Sequence, residues 1–315
     1  MSKTVIVTGG TGLIGRELCK ILLEAGWQVH CLSRSAKPHP VPGVRMFVWD
    51  AMRKQVDVAA FAGATALVHL AGEGIADKRW TNHRKKAIYE SRTHSTLFLK
   101  EALAQHGQAI STIVSASAIG YYGYGTKVFD EESKPAATFP AKVCVAWEEA
   151  AHEMAGPGRR LVIFRIGIVL SRDGGAYPKL AAPIRYGVGT WLGNGDQVMS
   201  WIHLRDIAGM MLLALESPGM QGVYNGVAEE PVSQKFFLKQ VGRYLHMPVW
   251  PVGVPSLLLQ MALGERAELV LEGAAVISRR ILPAGYVYKY PYLYEALNEL
   301  ARAAGKPRRR PAPKK

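Results

Sequence analysis

The chain has 315 residues, of which 49% are hydrophobic and 20% charged, and its formal net charge is +14. No apolar run approaches the roughly 20 residues of a membrane span, and the N-terminus lacks a cationic leader with a cleavage site, so we expect a cytoplasmic protein without a membrane partner. Cys19, Cys31 and Cys144 are scattered, which excludes a disulfide framework or zinc site by spacing, and we expect buried free thiols and no metal.

The first predicted element is a strand at residues 5–7, which leads through the turn TGGTGLIG, residues 8–15, into a helix at residues 16–25. Gly9, Gly12 and Gly15 give the G-x-x-G-x-x-G variant of the dinucleotide fingerprint. Such a turn brings backbone N–H groups and the positive end of a helix against a pyrophosphate. The residues predicted to bind the cofactor here are Gly9, Thr11, Gly12, Leu13, Ile14 and Gly15. The alternative is a glycine turn that serves packing only.

Further strands are predicted at residues 27–34, 44–50, 64–72, 110–118 and 160–167, with helical segments between most of them. Strands that alternate with helices indicate an α/β fold with a doubly wound parallel sheet of the Rossmann type. We predict that residues 1–167 form this domain, with residues 202–228 crossing back to it. A smaller C-terminal α/β lobe that binds substrate is then expected from residues 168–201 and 229–303.

The second predicted strand ends at Arg34 with no acidic residue in reach. An acid at this place accepts from the ribose 2′-hydroxyl of NAD, whereas an arginine offers a fork of donors to the 2′-phosphate of NADP(H). We therefore predict NADP(H), the alternative being a solvated loop arginine. Asp50 is predicted to meet the adenine or, alternatively, to form a turn. The segment Leu70, Ala71 and Gly72 is expected to pass beneath the cofactor.

Residues 78–94 hold six basic residues and one acid. Arg84, Ile88 and Arg92 share one face of a helix predicted at about residues 82–105. We expect this stretch to border the active site and to favour an anionic substrate, with Arg79, Trp80 and Arg92 as contacts. Alternatively, its lysines are a solvated face and Arg92 anchors the loop.

Trp201, from the expected second lobe, is the candidate for the opposite wall of the pocket, with a core position as the alternative. His203 and Asp206 are expected to anchor that lobe by hydrogen bonds rather than to perform chemistry. The tail at residues 304–315 is rich in proline and basic residues, which predicts disorder and a solubilising role rather than nucleic-acid binding.

The turn TGGTGLIG, the segment HLAG, a strand ending in SAS and a helix with Lys142 resemble the extended short-chain dehydrogenase/reductase superfamily. The motifs AGEGIADKRW, SASAIGYYG, VCVAWEEAA and WIHLRD are more narrowly similar to the epimerase-family proteins, which carry a C-terminal domain of unclear function. The resemblance implies that Ser117 orients the reacting oxygen and that Lys142 acts in catalysis by holding the nicotinamide ribose and lowering the pKa of the catalytic phenol. It also places Ser115 and Ile168 near the cofactor. Alternatively, Lys142 acts only through ribose contacts or is a solvated helix lysine.

The same resemblance expects a tyrosine four residues before the lysine, where this chain has Thr138. A threonine hydroxyl is too weak an acid to replace a phenol, and we expect Thr138 to cap the helix that follows. Tyr121 and Tyr122 are the nearest phenols that could serve as catalytic residues instead. Alternatively, they line the pocket.

Two functions follow from these features. The first is an NADP(H)-dependent oxidoreductase or epimerase that acts on an unidentified small anionic or sugar-nucleotide-like substrate. The second, which the missing tyrosine motivates, is a non-catalytic protein that binds NADP(H) or senses its redox state. The oligomeric state stays open, with a homodimer as one option.

Overall fold

The computed structural model describes residues 3–35 and 37–302. Its strands are β1 (Thr4–Thr8), β2 (Gln28–Ser33), β3 (Arg45–Asp50), β4 (Gln55–Val56), β5 (Ala64–His69), β6 (Thr112–Ala118), β7 (Gly125–Phe129), β8 (Arg160–Ile166), β9 (Ile168–Leu170), β10 (Val198–Met199), β11 (Trp201–His203), β12 (Gly222–Gly226), β13 (Val232–Ser233) and β14 (Ala274–Val276). Its α-helices are α1 (Leu13–Glu24), α2 (Asn82–His106), α3 (Phe139–Ala155), α4 (Ala176–Arg185), α5 (Leu204–Glu216), α6 (Gln234–Leu245), α7 (Ser256–Leu263), α8 (Glu268–Leu271) and α9 (Leu293–Arg302). Short 3₁₀ helices lie at Val58–Phe61, Ile119–Tyr122 and Gly264–Ala267.

Eight strands form one twisted sheet in the order β12-β8-β6-β5-β1-β2-β3-β4. All neighbours run parallel except β3 and β4, which close one edge as an antiparallel pair. All five residues of β1 are buried, as expected for a central strand covered on both faces. The doubly wound α/β prediction is therefore confirmed.

The order of strands reverses between β1 and β5, which opens a crevice at their carboxyl ends. Helices α1 and α5 pack over one face of the sheet, where Val7, Leu22 and Met211 belong to one apolar core. Helices α2 and α3 cover the other face over a second core that includes Leu67 and Leu99. Both cores lie below the crevice, so the loops at its rim are free to carry chemistry.

Residues beyond β8 build a third apolar core around Tyr177, Trp201, Phe237 and Leu297. Here β9 pairs in parallel with β11, and β10 pairs with β13. The chain returns to the edge of the main sheet at β12, and β14 pairs with β7 of the N-terminal half. Helix α7 buries none of its residues, in contrast to the other long helices of the described chain.

The predicted elements agree with the observed ones to within a few residues. The first helix begins at Leu13, earlier than predicted, because Gly12 takes an extended conformation at its N-cap. The strand predicted at residues 64–72 ends at His69, where the chain leaves the sheet toward the crevice. The basic tail lies outside the described residues. Among those described, no helix has the length and hydropathy to cross a membrane.

Candidate cofactor and active site

The glycine turn between β1 and α1 is tight and closely packed. Gly9 has a φ of +68°, and a Cβ there would lie 2.8 Å from the carbonyl of Leu70. A Cβ on Gly15 would lie 2.3 Å from the Gly9 carbonyl oxygen, so only glycine lets helix and turn pack this closely. The turn is thereby fixed against the segment Leu70 to Gly72 at the end of β5.

Gly12 differs from these two because it is exposed and less closely packed. Its φ is −74°, and a Cβ there would meet only the Gly9 carbonyl oxygen, at 3.2 Å. No side chain caps α1, and its first turn holds no acidic residue. The first N–H groups of the helix are therefore available to an anion, so the turn fits the pyrophosphate of a dinucleotide. Thr11 is exposed, and Leu13 and Ile14 are half-buried beside it.

A buried hydrogen-bond chain supports the turn from below. The Thr8 hydroxyl accepts from the N–H groups of Leu70 and Ala71, so its proton points to Nδ1 of His69 at 2.7 Å. Nε2 of His69 then donates to Thr96 Oγ1 at 2.9 Å. Burial, together with the charge of Arg92, lowers the pKa of His69 to about 3, so the ring is neutral. Sequence reasoning missed this support, although HLAG contains the histidine.

The expected adenosine end of the site has exposed cations, among them Arg34 and Lys37. Arg34 follows β2, is exposed, and pairs with no acid among the residues that the structure describes. Asp50 accepts from the N–H groups of Met52 and Arg53 at 3.0 and 3.2 Å, which is the geometry of a turn. Its predicted contact with adenine stays a prediction.

The end of β6 carries a buried polar cluster. Ser117 donates to Oε1 of Glu148, with 2.6 Å between the oxygens. Arg165 donates from Nε and Nη2 to the two oxygens of the same carboxylate, at 2.8 and 2.7 Å. Burial alone would lower the pKa of Arg165, but the hydrogen-bonded Glu148 outweighs it and raises that pKa above its ordinary value. Ser115, two residues earlier, is fully buried.

Glu148 and Arg165 were not singled out from the sequence. A signal was present, since Arg165 interrupts the apolar strand RLVIFRIG and Glu148 lies in a helix that is otherwise apolar on its inner face. A charged pair inside two apolar elements indicates a specific contact between them.

The two tyrosines near Ser117 differ in their surroundings. The Tyr122 hydroxyl donates to Asn225 at 2.7 Å and accepts from Nη1 of Arg165 at 3.0 Å. Burial raises the pKa of Tyr122 to about 12, which makes it a weaker acid than a free phenol. Tyr121 is only half-buried, and the Arg165 guanidinium stacks on its ring with 3.4 Å between Cζ and the ring centroid. Tyr122 is thus engaged in structure, whereas Tyr121 is accessible.

Helix α3 begins as predicted. The Thr138 side chain accepts from the N–H of Ala141, so Thr138 is the N-cap. Lys142 is exposed on the first turn of α3. Its predicted roles, holding ribose or acting in catalysis, stay predictions.

Two of the expected substrate contacts hold other parts of the chain. The guanidinium of Arg79 donates to the carbonyls of Met261 and Ala262 at the end of α7, at 2.7 and 2.8 Å from Nη2. Trp80 is buried between Ile88 and Val143, and its indole donates to the Ile75 carbonyl at 2.9 Å. These contacts fix the loop after β5 against the C-terminal segment.

Lys85 and Arg266 add to the same connection, and Arg84 holds the loop to helix α2. Arg84 donates to Glu73 at 2.8 Å, Lys85 pairs with Glu265, and Arg266 donates to the Ala76 carbonyl at 3.0 Å. We call the segment from Ser256 to Leu271 the strap. Contacts of Arg79, Lys85 and Arg266 hold it to the loop after β5 and to α2.

Arg92 lies deeper, where α2 meets α3. Its guanidinium stacks on Trp147, with 5.0 Å between Cζ and the ring centroid, and Nη1 donates to the Ile88 carbonyl. A Cβ on Gly72 would lie 3.3 Å from the Arg92 Cζ, so the guanidinium borders the segment beneath the expected cofactor. Burial lowers the pKa of Arg92.

The second-lobe candidates are structural in their contacts. Trp201 is buried in the third core and donates to the Glu230 carbonyl at 3.0 Å. His203 contacts Glu299 at 3.3 Å, and Asp206 accepts from the Tyr286 hydroxyl and from the Lys289 and Tyr290 amides. Ile168 begins β9 and pairs with Trp201. The contacts of Trp201 fit the alternative of a core position better than the predicted pocket role.

The cysteine prediction is confirmed, since Cys19, Cys31 and Cys144 are free and buried. Burial raises the pKa of Cys19 to about 12 and that of Cys31 to about 11. Within residues 3–35 and 37–302, no group of three or more histidine, cysteine or acidic side chains is arranged to hold a metal ion.

The doubly wound sheet, the glycine turn at its reversal of strand order and Ser117 at the end of β6 define the class of short-chain dehydrogenase/reductase proteins. A model described as "NAD dependent epimerase/dehydratase family" matches residues 5–225, and one described as "Domain of unknown function (DUF1731)" matches residues 254–300. The chain belongs to the NAD-dependent epimerase/dehydratase family and carries this C-terminal domain, which confirms the resemblance.

Relatives match over almost the whole chain. The bovine epimerase family protein SDR39U1 is 35% identical over 302 residues, covering 94% of this chain and 99% of the bovine protein. A chloroplastic homologue from Arabidopsis thaliana is 36% identical over 302 residues, covering 94% and 86%. The crystal structure of human SDR39U1 with NADPH has a TM-score of 0.84 at 35% identity and covers 95% and 99%. The predicted cofactor is thus the one found in that human relative.

Proposed function

We propose that this protein is an NADP(H)-dependent oxidoreductase or epimerase that acts on a small anionic molecule. The observation that carries the proposal is the uncapped N-terminus of α1, which follows β1 at the reversal of strand order. In the sheet, β1 lies next to β5, whose end leads to Arg92, and two strands from β6, which carries Ser117. Anion-binding backbone and a hydroxyl near the expected nicotinamide then border one crevice.

The proposed cofactor contacts begin at the turn Gly9 to Gly15, whose N–H groups would hold the pyrophosphate. Arg34 would meet the 2′-phosphate as a fork of charged donors, which distinguishes NADP(H) from NAD(H). Leu70, Ala71 and Gly72 would lie beneath the cofactor, and Lys142 would reach the nicotinamide ribose. When bound, the nicotinamide ring supplies or accepts a hydride.

Tyr121 is the proposed proton donor and acceptor in place of the missing tyrosine. Its hydroxyl has no hydrogen-bond partner among the described residues, whereas Tyr122 is held by Asn225 and Arg165. Ser117 cannot donate to a substrate oxygen while it donates to Glu148. Its lone pairs can accept a hydrogen bond from a substrate hydroxyl. Ser117 would therefore orient the substrate, and Tyr121 would exchange the proton.

A second candidate function is a non-catalytic NADP(H) sensor. It is favoured by Thr138, which caps α3 where the family has its catalytic tyrosine, and by the Ser117 proton being committed to Glu148. Under this alternative the same turn binds cofactor, but no metabolite is converted.

Calorimetric titration with NADPH and with NADH tests the first step. We expect NADPH to bind at least tenfold more tightly than NADH, and Arg34→Ala to remove most of this preference while Lys37→Ala, a neighbouring exposed lysine, changes it less. Failure of both nucleotides to bind would overturn both candidates.

A metabolite screen that follows NADPH absorbance then separates the two. Turnover that Tyr121→Phe lowers by about 10²-fold or more supports the enzyme. Binding without turnover of any hydroxy or oxo compound supports the sensor.

We also propose that the Rossmann domain comprises residues 1–167 with 202–228, and that residues 168–201 and 229–303 form the substrate lobe. The third apolar core supports this division, because its buried members come from the second set of residues apart from Ala228, at the junction of the two sets. Buried free thiols agree with a reducing compartment, which supports the proposed cytoplasmic location.

A further inference from the structure

Arg92 is a half-buried cation without an anion beside it to neutralise it. Among the residues that the structure describes, no carboxylate lies within ion-pair distance of its guanidinium, and its side chain makes one hydrogen bond, from Nη1 to Ile88. Arg165, the buried arginine of the site, has a bidentate carboxylate partner. Removing much of a guanidinium from water is costly unless something pairs with it.

The remaining donors of Arg92 point along one edge of its plane. Nε and Nη2 have no hydrogen-bond partner in the described chain, and neither is sealed from solvent, unlike Nε of Arg84. Trp147 covers one face of the guanidinium, and the backbone at Gly72 borders it. The Nε–H and Nη2–H groups of a guanidinium that is held in place by stacking can donate two parallel hydrogen bonds to the two oxygens of a carboxylate.

The charges around Arg92 favour a single negative charge. Glu73 contributes to its electrostatic environment, and Glu148 lies beyond Cys144, the thiol that also faces Ser117. Burial and the neighbouring Glu148 raise the pKa of Cys144 to about 11, so this thiol stays neutral. Glu73 is paired with Arg84 and Glu148 with Arg165, so the guanidinium of Arg92 leaves one positive charge, which a monocarboxylate neutralises and a dianionic phosphate exceeds.

Arg92 and Ser117 contact adjacent residues of helix α3, since Arg92 stacks on Trp147 and Ser117 donates to Glu148. Cys144 contacts Ser117 on one side and lies within the field of Arg92 on the other, so the serine and the guanidinium are neighbours across one side chain. A carboxylate held by Arg92 would bring a hydroxyl or oxo group on a nearby carbon to Ser117.

We propose that Arg92 binds the carboxylate of the substrate, which makes the substrate class a small hydroxy acid or its oxo acid rather than a phosphate ester. This rests on the proposed function for the identity of the reacting molecule. The contact itself is independent of turnover.

The test is titration of the NADPH-saturated protein with oxamate, a small carboxylate that mimics an oxo acid, and separately with inorganic phosphate. We expect oxamate to bind and phosphate not to displace it. Arg92→Met should weaken oxamate binding by at least about tenfold, as the loss of a charge-assisted bidentate contact predicts. Arg92→Lys should give an intermediate loss, and Lys86→Met, which removes an exposed cation of the same helix, should change nothing.

NADPH affinity is measured on every variant. A protein that does not bind NADPH would overturn the proposed function, which is a separate result from failure of the carboxylate assignment. If NADPH binds but oxamate does not, the carboxylate assignment is wrong. Equal oxamate binding by wild type and Arg92→Met, or phosphate binding that exceeds oxamate binding, would also overturn it. Should Arg92→Met fail to fold, Arg92→Lys and the competition between oxamate and phosphate in the wild type decide.

Discussion

The hydroxyl of Ser117 donates to the Glu148 carboxylate across 2.6 Å, and this contact fixes which way the serine can act. Because the proton is committed, Ser117 presents lone pairs to its remaining neighbours. Arg165 holds Glu148 through two further hydrogen bonds and carries the ring of Tyr121 on its guanidinium. One buried ion pair therefore positions both hydroxyl side chains that the proposed chemistry requires.

Glu148→Ala should destabilise the protein strongly. Side-chain exposures of 5% for Arg165 and 10% for Glu148 mean that the variant leaves a buried guanidinium without its partner. We expect a loss of about 3–5 kcal/mol in the free energy of unfolding, measured by denaturant titration. Glu149→Ala, at the exposed neighbouring position, should stay within about 0.5 kcal/mol of wild type. Similar losses for the two variants would show that the ion pair is not buried.

The two tyrosines should separate stability from function. Tyr122→Phe leaves the Asn225 oxygen without its donor and should cost about 1–3 kcal/mol in the free energy of unfolding. Tyr121→Phe should leave stability unchanged, because its hydroxyl makes no contact that the described structure requires. Denaturation curves of the pair check this, and a larger loss for Tyr121→Phe would reverse the assignment.

Gly12 and Gly15 should respond differently to alanine. At Gly15 the new Cβ would lie 2.3 Å from the Gly9 oxygen, and we expect a loss of about 1–3 kcal/mol or more in unfolding free energy. At Gly12 the backbone conformation suits any residue, and the new Cβ would lie 3.2 Å from the Gly9 oxygen, a tight contact that a small shift of the turn relieves, so Gly12→Ala should lose less stability than Gly15→Ala. Its methyl group would face the expected pyrophosphate, and NADPH affinity should fall by at least about tenfold. Thermal unfolding and calorimetry together distinguish the two effects. Undiminished NADPH binding by Gly12→Ala would show that the pyrophosphate does not lie against Gly12.

His69 should make stability fall as the pH is lowered. Burial holds its pKa near 3 in the folded protein against an ordinary value of 6.5, so only the unfolded chain takes up this proton between those values. Each pH unit below 6.5 should therefore remove about 1.4 kcal/mol of unfolding free energy. His69→Gln lacks this proton uptake, so the slope of unfolding free energy against pH should be shallower in the variant. Parallel curves from pH 7 to pH 4 would contradict a neutral buried histidine.

Arg79→Ala should loosen the strap without unfolding the protein. Helix α7 buries no residue, and the Arg79 guanidinium binds the last carbonyls of that helix. Loss of hydrogen bonds worth about 1 kcal/mol should speed amide exchange at residues 256–264 about fivefold. Hydrogen-exchange mass spectrometry measures this, with Lys86→Ala as the exposed control on α2. Unchanged exchange in Arg79→Ala would mean that other contacts hold the helix.

The sequence by itself determined the parallel sheet, the nucleotide turn, the capping role of Thr138 and the burial of the three cysteines. These features depend on short-range rules, because apolar strands, glycine spacing and helix caps involve residues that are close along the chain. Family membership could be inferred for the same reason, from short motifs that occur in order.

Only the tertiary structure decided which polar side chains meet. Ser117 and Glu148 are 31 residues apart, and Arg79 lies 182 residues from the helix end that it binds, so no local pattern encodes either contact. The sequence grouped Arg79, Trp80 and Arg92 by proximity along the chain. Packing separates them, because Arg79 binds the end of α7 and Trp80 packs on Val143, whereas Arg92 borders Gly72 and its Nε and Nη2 have no hydrogen-bond partner in the described chain.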